Sequence, residues 1–198
     1  MSRKADADKD TAYFSYLSER SGIGLLYRNY LLYPVLSRML HGRVLDFGCG
    51  IGDFLKYRKH SVGVDVNQQL VDYCQSQGLD AQQIKDGRIP YPESCFDSVV
   101  MDNVLEHIPE LDAGNVIKEI MRVLRANGTL LVGVPGRKGY AADSDHKCFY
   151  TGPDLKALLS RHGGRLVKTR HMPLWFPGVD KYLRQYCIYA AFEKLEST

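Results

Sequence analysis

The fold of this chain turns on one stretch, Val44-Leu-Asp-Phe-Gly48-Cys-Gly50-Ile-Gly52-Asp-Phe-Leu55. A short apolar run breaks into three glycines at alternate positions and then turns apolar again, which is the pattern of a buried strand, a tight turn and a helix. Glycine suits a backbone that takes positive φ or lies against a ligand. Such a turn holds a phosphate, holds another ligand, or only reverses the chain. The residues around it decide among these. A dinucleotide-binding turn reads G-x-G-x-x-G, whereas here the third glycine is Gly52 and Asp53 follows it, a carboxylate poorly placed beside a pyrophosphate. No Lys-Ser/Thr pair follows, which excludes a P-loop. Asp65 closes the next apolar run, near the separation of about 20 residues at which an acidic side chain reaches a ribose diol. An adenosine-containing ligand without a diphosphate is the expectation.

Working outward, the spacing predicts two helical pieces over 11–40, broken at Ser21-Gly22-Ile23-Gly24, and strands over 43–47 and 61–65. A helix capped by Asn67 and closed by Gly78 comes next, then strands over 80–84 and 98–102, a helix over 112–124 and a strand over 129–134. A loop covers 135–151. A helix over 153–161 and strands over 165–171 and 186–192 complete the pattern. Alternating strands and helices imply a mainly parallel sheet covered on both faces, with ligands beyond the carboxyl ends of its strands.

Composition sets the outer limits. The 198 residues are 44% hydrophobic and 25% charged, as in an ordinary globular domain, and one domain is expected. The net charge of +3 is spread along the chain without a basic stripe, which argues against nucleic acid as a partner. Residues 1–10 read as a frayed charged tail without a signal-peptide core, and no run is long enough to span a membrane. A cytoplasmic protein is the expectation. Cys49, Cys74, Cys95, Cys148 and Cys187 contain no C-x-x-C pair, so separate reduced thiols are expected and a zinc site is not.

The runs VLDFGCGIG, VGVD, FDSVVMDNVLEHI and TLLVGVP come in an order that resembles the class I S-adenosylmethionine-dependent methyltransferases of the small UbiG/UbiE-like group. The resemblance covers most of 43–192. It implies a Rossmann-like, seven-stranded, mostly parallel sheet with helices on both faces and an N-terminal helical lid, the whole of 1–198 being one methyltransferase domain. It also implies S-adenosylmethionine as cofactor. The loop Gly48 to Gly52 would lie against its methionine part, with Gly48, Cys49 and Gly50 binding it and Asp46 helping to orient the amino group. Asp65 would take both ribose hydroxyls and Val66 would pack on adenine. Asp86-Gly87 would either recognise adenine or form an ordinary turn. Asn103, or its neighbour Asp102, would line the transfer site. Arg28 would either pair with the methionine carboxylate or sit on a solvated helix face.

Methyl transfer to oxygen needs a proton acceptor, and histidine is the usual one. His41, His60 and His162 fall beside helix ends, and His171 ends a strand. His146 in the long loop is the first candidate for base or substrate ligand, against a role in tying that loop down. His107 either faces the acceptor or fixes the turn after the fourth strand. Glu106, His107, Asp143, Asp145 and His146 could gather around a divalent cation, but cation-dependent relatives carry a clearer acidic set and no metal is expected. Tyr13, Phe14, Tyr16, Tyr27, Tyr30 and Tyr33, with Trp175, Phe176, Tyr182 and Tyr186, read either as helix packing or as walls around an apolar acceptor. Sugars or sugar nucleotides, quinone-like aromatics and lipid precursors all fit. The expected activity is methyl transfer to a small molecule, at oxygen; methylation of protein or RNA, or cofactor binding without turnover, are the alternatives.

Overall fold

A computed structural model describes residues 22–174, 176 and 178–196. The elements in chain order are α1 (Gly22–Tyr27), a π-helical turn (Arg28–Leu32), α2 (Tyr33–Ser37), β1 (Val44–Phe47), α3 (Asp53–Tyr57), β2 (Val62–Asp65), α4 (Gln68–Ser76) and β3 (Ala81–Gln83). They continue with β4 (Phe96–Asp102), a 3-10 turn (Leu105–His107), α5 (Glu110–Val123), β5 (Leu124–Pro135), α6 (Arg137–Ala141) and α7 (Gly152–Ser160). The last are β6 (Gly164–Met172), a 3-10 turn (Val179–Lys181) and β7 (Cys187–Lys194).

The sheet runs β3-β2-β1-β4-β5-β7-β6, with β7 antiparallel to β5 and β6 and the other neighbouring pairs parallel. The chain order reverses at β1/β4, so the carboxyl ends of those strands open the crevice where such sheets hold ligands. Alternation along each central strand sorts side chains between two cores. Leu45, Phe47, Val99, Met101, Leu130, Val132 and Phe192 pack under α5 and α7, whereas Val44, Val100, Leu131 and Tyr189 pack with Leu32, Tyr33 and Leu36 of the N-terminal helix. By the same alternation Asp46 and Asp102 belong to the N-terminal-helix face. Among the described residues no helix is long and apolar enough to cross a membrane.

Several sequence expectations change. The expected helix before Ser21 lies outside the described residues, and Gly22 and Gly24 begin a helix instead of breaking one. The loop over 135–151 contains α6. Strand β5 starts at Leu124, because residues 124–128, expected to end a helix, pair through Leu124 with Phe96. Thr151 caps α7 with Asp154 in a reciprocal capping box that the sequence reading did not name.

Candidate active site

The glycine turn is built by its neighbours' backbone. Gly48 and Cys49 both donate to the Val64 carbonyl, at 2.8 and 3.1 Å, which lays the turn across the end of β2. Gly48 has φ +77°, and a Cβ there would fall 2.5 Å from Val104 Cγ2. Only glycine meets both demands. Gly52 packs inward, toward Leu79 and Cys74, and it starts α3 instead of approaching a ligand. Sequence reasoning missed Gly63 of β2, where a Cβ would lie 2.7 Å from Cys49 Sγ and 2.8 Å from Leu55 Cδ1. Its missing side chain lets the turn settle on the sheet.

Asp65 ties the turn to β2: one carboxylate oxygen accepts from Gly50 N–H at 3.0 Å and the other from Asn67 N–H at 3.0 Å. A carboxylate oxygen can accept from more than one donor, so a ribose hydroxyl is chemically matched to Asp65. Val66, beside it, is 69% exposed on this edge, and its carbonyl accepts from Gln83. Asp86 and Gly87 both have positive φ in an exposed tight turn between Lys85 and Arg88. The turn begins two residues beyond the strand that pairs with β2.

Asp46 is buried on β1. Burial first, then the carboxylates of Asp102 and Asp65, pushes its pKa well above the usual range. These three carboxylates lie toward the carboxyl ends of β1, β2 and β4, and a cation placed among them would relieve both the desolvation and the repulsion. Arg28 is not on a solvated helix face. Its guanidinium points inward and donates to Asp53 at 3.2 Å, at the first residue of α3.

At the far wall Asp102, Gly133 and Tyr189 stand side by side on β4, β5 and β7. Because Gly133 has no side chain, the buried Tyr189 ring crosses it and its hydroxyl donates to Asp102 at 2.8 Å. Asn103 donates to the same oxygen at 2.7 Å and accepts from the Cys187 thiol, at 3.5 Å. Asn103 holds φ +54°, a conformation asparagine tolerates and most residues do not. The network fixes Asn103 at the strand end, and Tyr189 is the functional neighbour that the sequence reading did not find.

Past Asn103, the 3-10 turn brings Glu106 and His107 to His146. The Glu106 carbonyl accepts from Lys147 and Cys148 N–H at 2.7 and 3.1 Å, which pins the loop carrying His146 onto the turn. His146 Nδ1 lies 2.8 Å from the Tyr140 carbonyl, and its ring stacks on Tyr140. Its Nε2 faces Glu106 Oε1 and Asp143 Oδ2, each at 3.9 Å, and the His107 and His146 rings are 4.6 Å apart between centres. Glu106 is 1% exposed, and neither carboxylate oxygen has a hydrogen-bond partner among the described residues. Burial pushes its pKa up to about 8. Burial, and then His146, lowers that of His107.

The aromatic residues divide. Tyr33 and Tyr186 are buried, Tyr186 with its hydroxyl 2.5 Å from His171 Nδ1. Tyr30, Phe176 and Tyr182 are exposed and remain available as walls. Tyr13, Phe14, Tyr16 and Trp175 lie outside the described residues.

The family described as methyltransferase domain matches residues 45–132. A human protein named "Probable tRNA methyltransferase 9B" is 31% identical over 94 residues, 46% of this chain and 21% of that protein. A Mycobacterium tuberculosis protein named "Probable S-adenosylmethionine-dependent methyltransferase" is 25% identical over 181 residues, 73% of this chain and 65% of that protein. The chain thus spans less than two thirds of these relatives' length. A solved S-adenosylmethionine-dependent methyltransferase from Thermotoga maritima superimposes with a TM-score of 0.72 at 18% identity, covering 92% of this chain and 98% of that one, which establishes the common fold. Over the matched segment the chain carries a methyltransferase domain, and by fold and relatives it is similar to the class I S-adenosylmethionine-dependent methyltransferases. Its matched segment runs from β1 into β5, and the relatives named as S-adenosylmethionine-dependent methyltransferases point to S-adenosylmethionine as cofactor.

Proposed function

We propose that the protein moves a methyl group from S-adenosylmethionine to a hydroxyl oxygen of a small-molecule acceptor. The observation that carries this reading is the junction of two unlike half-sites at one sheet edge. Carboxylates that suit a cation stand toward the ends of β1, β2 and β4, and just past β4, beyond Asn103 in the chain, lies a histidine-carboxylate cluster that suits a hydroxyl.

The residues present fit the cofactor. Asp46 offers a buried carboxylate to its amino group, Gly48–Gly50 offer close backbone, Asp65 the ribose acceptors and Val66 an apolar face for adenine. Asp86 and Gly87 would reach the far side of adenine from their turn. The Asp53–Arg28 pair would receive the methionine carboxylate on its cationic half. Bound there, S-adenosylmethionine supplies a methyl on a sulfonium, whose C–S electron pair stays on sulfur as an acceptor lone pair forms the new C–O bond. The chain's own part is to align and deprotonate. Tyr189 and Asp102 hold Asn103 beside the methyl path, and the hydroxyl proton passes to the cluster, with His146 Nε2 or His107 receiving it. The chain shows no basic stripe, which supports a small molecule over RNA.

Calorimetry with S-adenosylhomocysteine, followed by transfer of an isotopically labelled methyl across sugars, quinols and lipid precursors, tests this reading. Binding and labelling of a small molecule are expected. No binding would overturn the cofactor assignment, and label appearing only in tRNA or protein would overturn the acceptor class.

A further inference from the structure

Glu106 stands in a place where its buried carboxyl group has no account. Nearly every other buried polar side chain in the described core has a partner, yet both oxygens of this carboxylate and the hydroxyl of nearby Tyr150 have none. Two imidazoles face it. His146 has one nitrogen committed to the Tyr140 carbonyl, which turns Nε2 toward Glu106. The His107 ring stands beside it, 4.6 Å from the His146 ring between centres. One ligand atom from each of Glu106, His107 and His146 lies within 4.8 Å of the others.

These distances are too long for hydrogen bonds and close to what one ion imposes. Ligands about 2.1 Å from a common ion in tetrahedral arrangement sit about 3.4 Å apart, so closure asks each side chain for less than about 1 Å. The free oxygen of Asp143, 3.9 Å from His146 Nε2, lies on the same side, while its other oxygen accepts from Asp145 N–H at 2.9 Å. An imidazole held at one nitrogen by a backbone carbonyl and presenting the other, as His146 is, has the arrangement that orients a metal ligand.

We propose that Glu106, His107 and His146 bind one divalent first-row transition-metal ion, of the zinc or manganese class, with coordination positions left open toward the acceptor. Two imidazole nitrogens with a carboxylate select such ions over magnesium or calcium. The ion's use, though not its binding, rests on the function proposed above. A hydroxyl entering an open position loses its proton more readily beside the dication. With the ion in place, His146 Nε2 is a ligand, and the proton leaves to Asp143 or water instead.

The experiment strips the full chain with chelator, then titrates it with Co²⁺ by visible absorption and with Zn²⁺ against a competing chromophore. One equivalent is expected to bind, with a d–d absorption band, and Glu106→Gln and His146→Ala are each expected to weaken affinity at least about tenfold. Circular dichroism confirms that each variant is folded, and Tyr140→Phe, which keeps the carbonyl, serves as a second folded reference with affinity within about threefold of wild type. Absence of binding, or equal affinity in wild type and both variants, overturns the site. Calorimetry with S-adenosylhomocysteine on the stripped protein separates the two proposals, since its failure counts against the cofactor reading alone.

Discussion

The two halves of the candidate site are built on opposite terms. On the cofactor side each oxygen of Asp65 already accepts a backbone N–H, and the turn it holds is fixed by the Val64 carbonyl. On the acceptor side Glu106 is more deeply buried than Asp65, yet both its oxygens lack partners among the described residues. The first half is a finished frame. The second concentrates unsatisfied polar groups where chemistry would use them. Burying a charge without partners costs stability, and folds keep such groups where a ligand completes them.

This contrast makes opposite substitutions diverge. Asp65→Ala removes an acceptor from two backbone donors and from the ribose, and bonds to a charged group are worth about 1.5–3 kcal/mol each. Affinity for S-adenosylhomocysteine is expected to fall about 100-fold or more by calorimetry. A loss under tenfold would place the ribose elsewhere. Gly48→Ala sets a side chain at φ +77° against Val104, and a cost of about 2 kcal/mol is expected, read as a lowered denaturation midpoint. Unchanged stability would mean that the turn is not the rigid half.

Glu106→Met is expected to move stability the other way. It removes a buried carboxylate that has no partner, so the metal-free chain should gain about 1 kcal/mol in urea denaturation while methyl transfer is lost. Destabilisation would show that Glu106 is satisfied in solution and that the two halves are alike. The smallest effect belongs to a carboxylate at the other end of the sheet, useful as a reference for both. Asp97 accepts from Arg43 N–H at 2.7 Å and pairs with Arg125 at 2.5 Å, and the backbone bond foremost lowers its pKa. A lowered folded-state pKa contributes stability above the ordinary aspartate range and loses it as pH falls through the folded value. Asp97→Asn should therefore cost about 0.5–1 kcal/mol near neutrality, and its urea midpoint should converge on wild type below about pH 3.

The frame was legible because its signals are local. Val44–Leu55 announced strand, turn and helix through consecutive residues, Asp65 followed at the end of the next strand, and Asn67 capped its helix through Gln69 N–H at 2.9 Å as expected. The acceptor side was legible only as a set of candidates. His107 and His146 were named, but their meeting at a buried, unpartnered Glu106 depends on how a loop some forty residues away folds back over a 3-10 turn. Tyr189 carried no signal at all. It reads as one more apolar position in the last strand, and only the register of three strands sets it across Gly133 onto Asp102. Gly63 was silent for a similar reason, since the space its missing side chain leaves is filled from another element.

The sequence by itself determined the alternating strands and helices, the glycine turn and the helix cap after Asp65, because hydrophobic periodicity, glycine conformation and a capping asparagine act over a few residues; the family came from its resemblance to known methyltransferases. Only the tertiary structure decided that Arg28 turns inward to Asp53, that Asp102 belongs to a tyrosine network, and that Glu106, His107 and His146 share one pocket. Those outcomes depend on strand register and loop docking, which bring distant residues together and decide which charges keep water and which lose it.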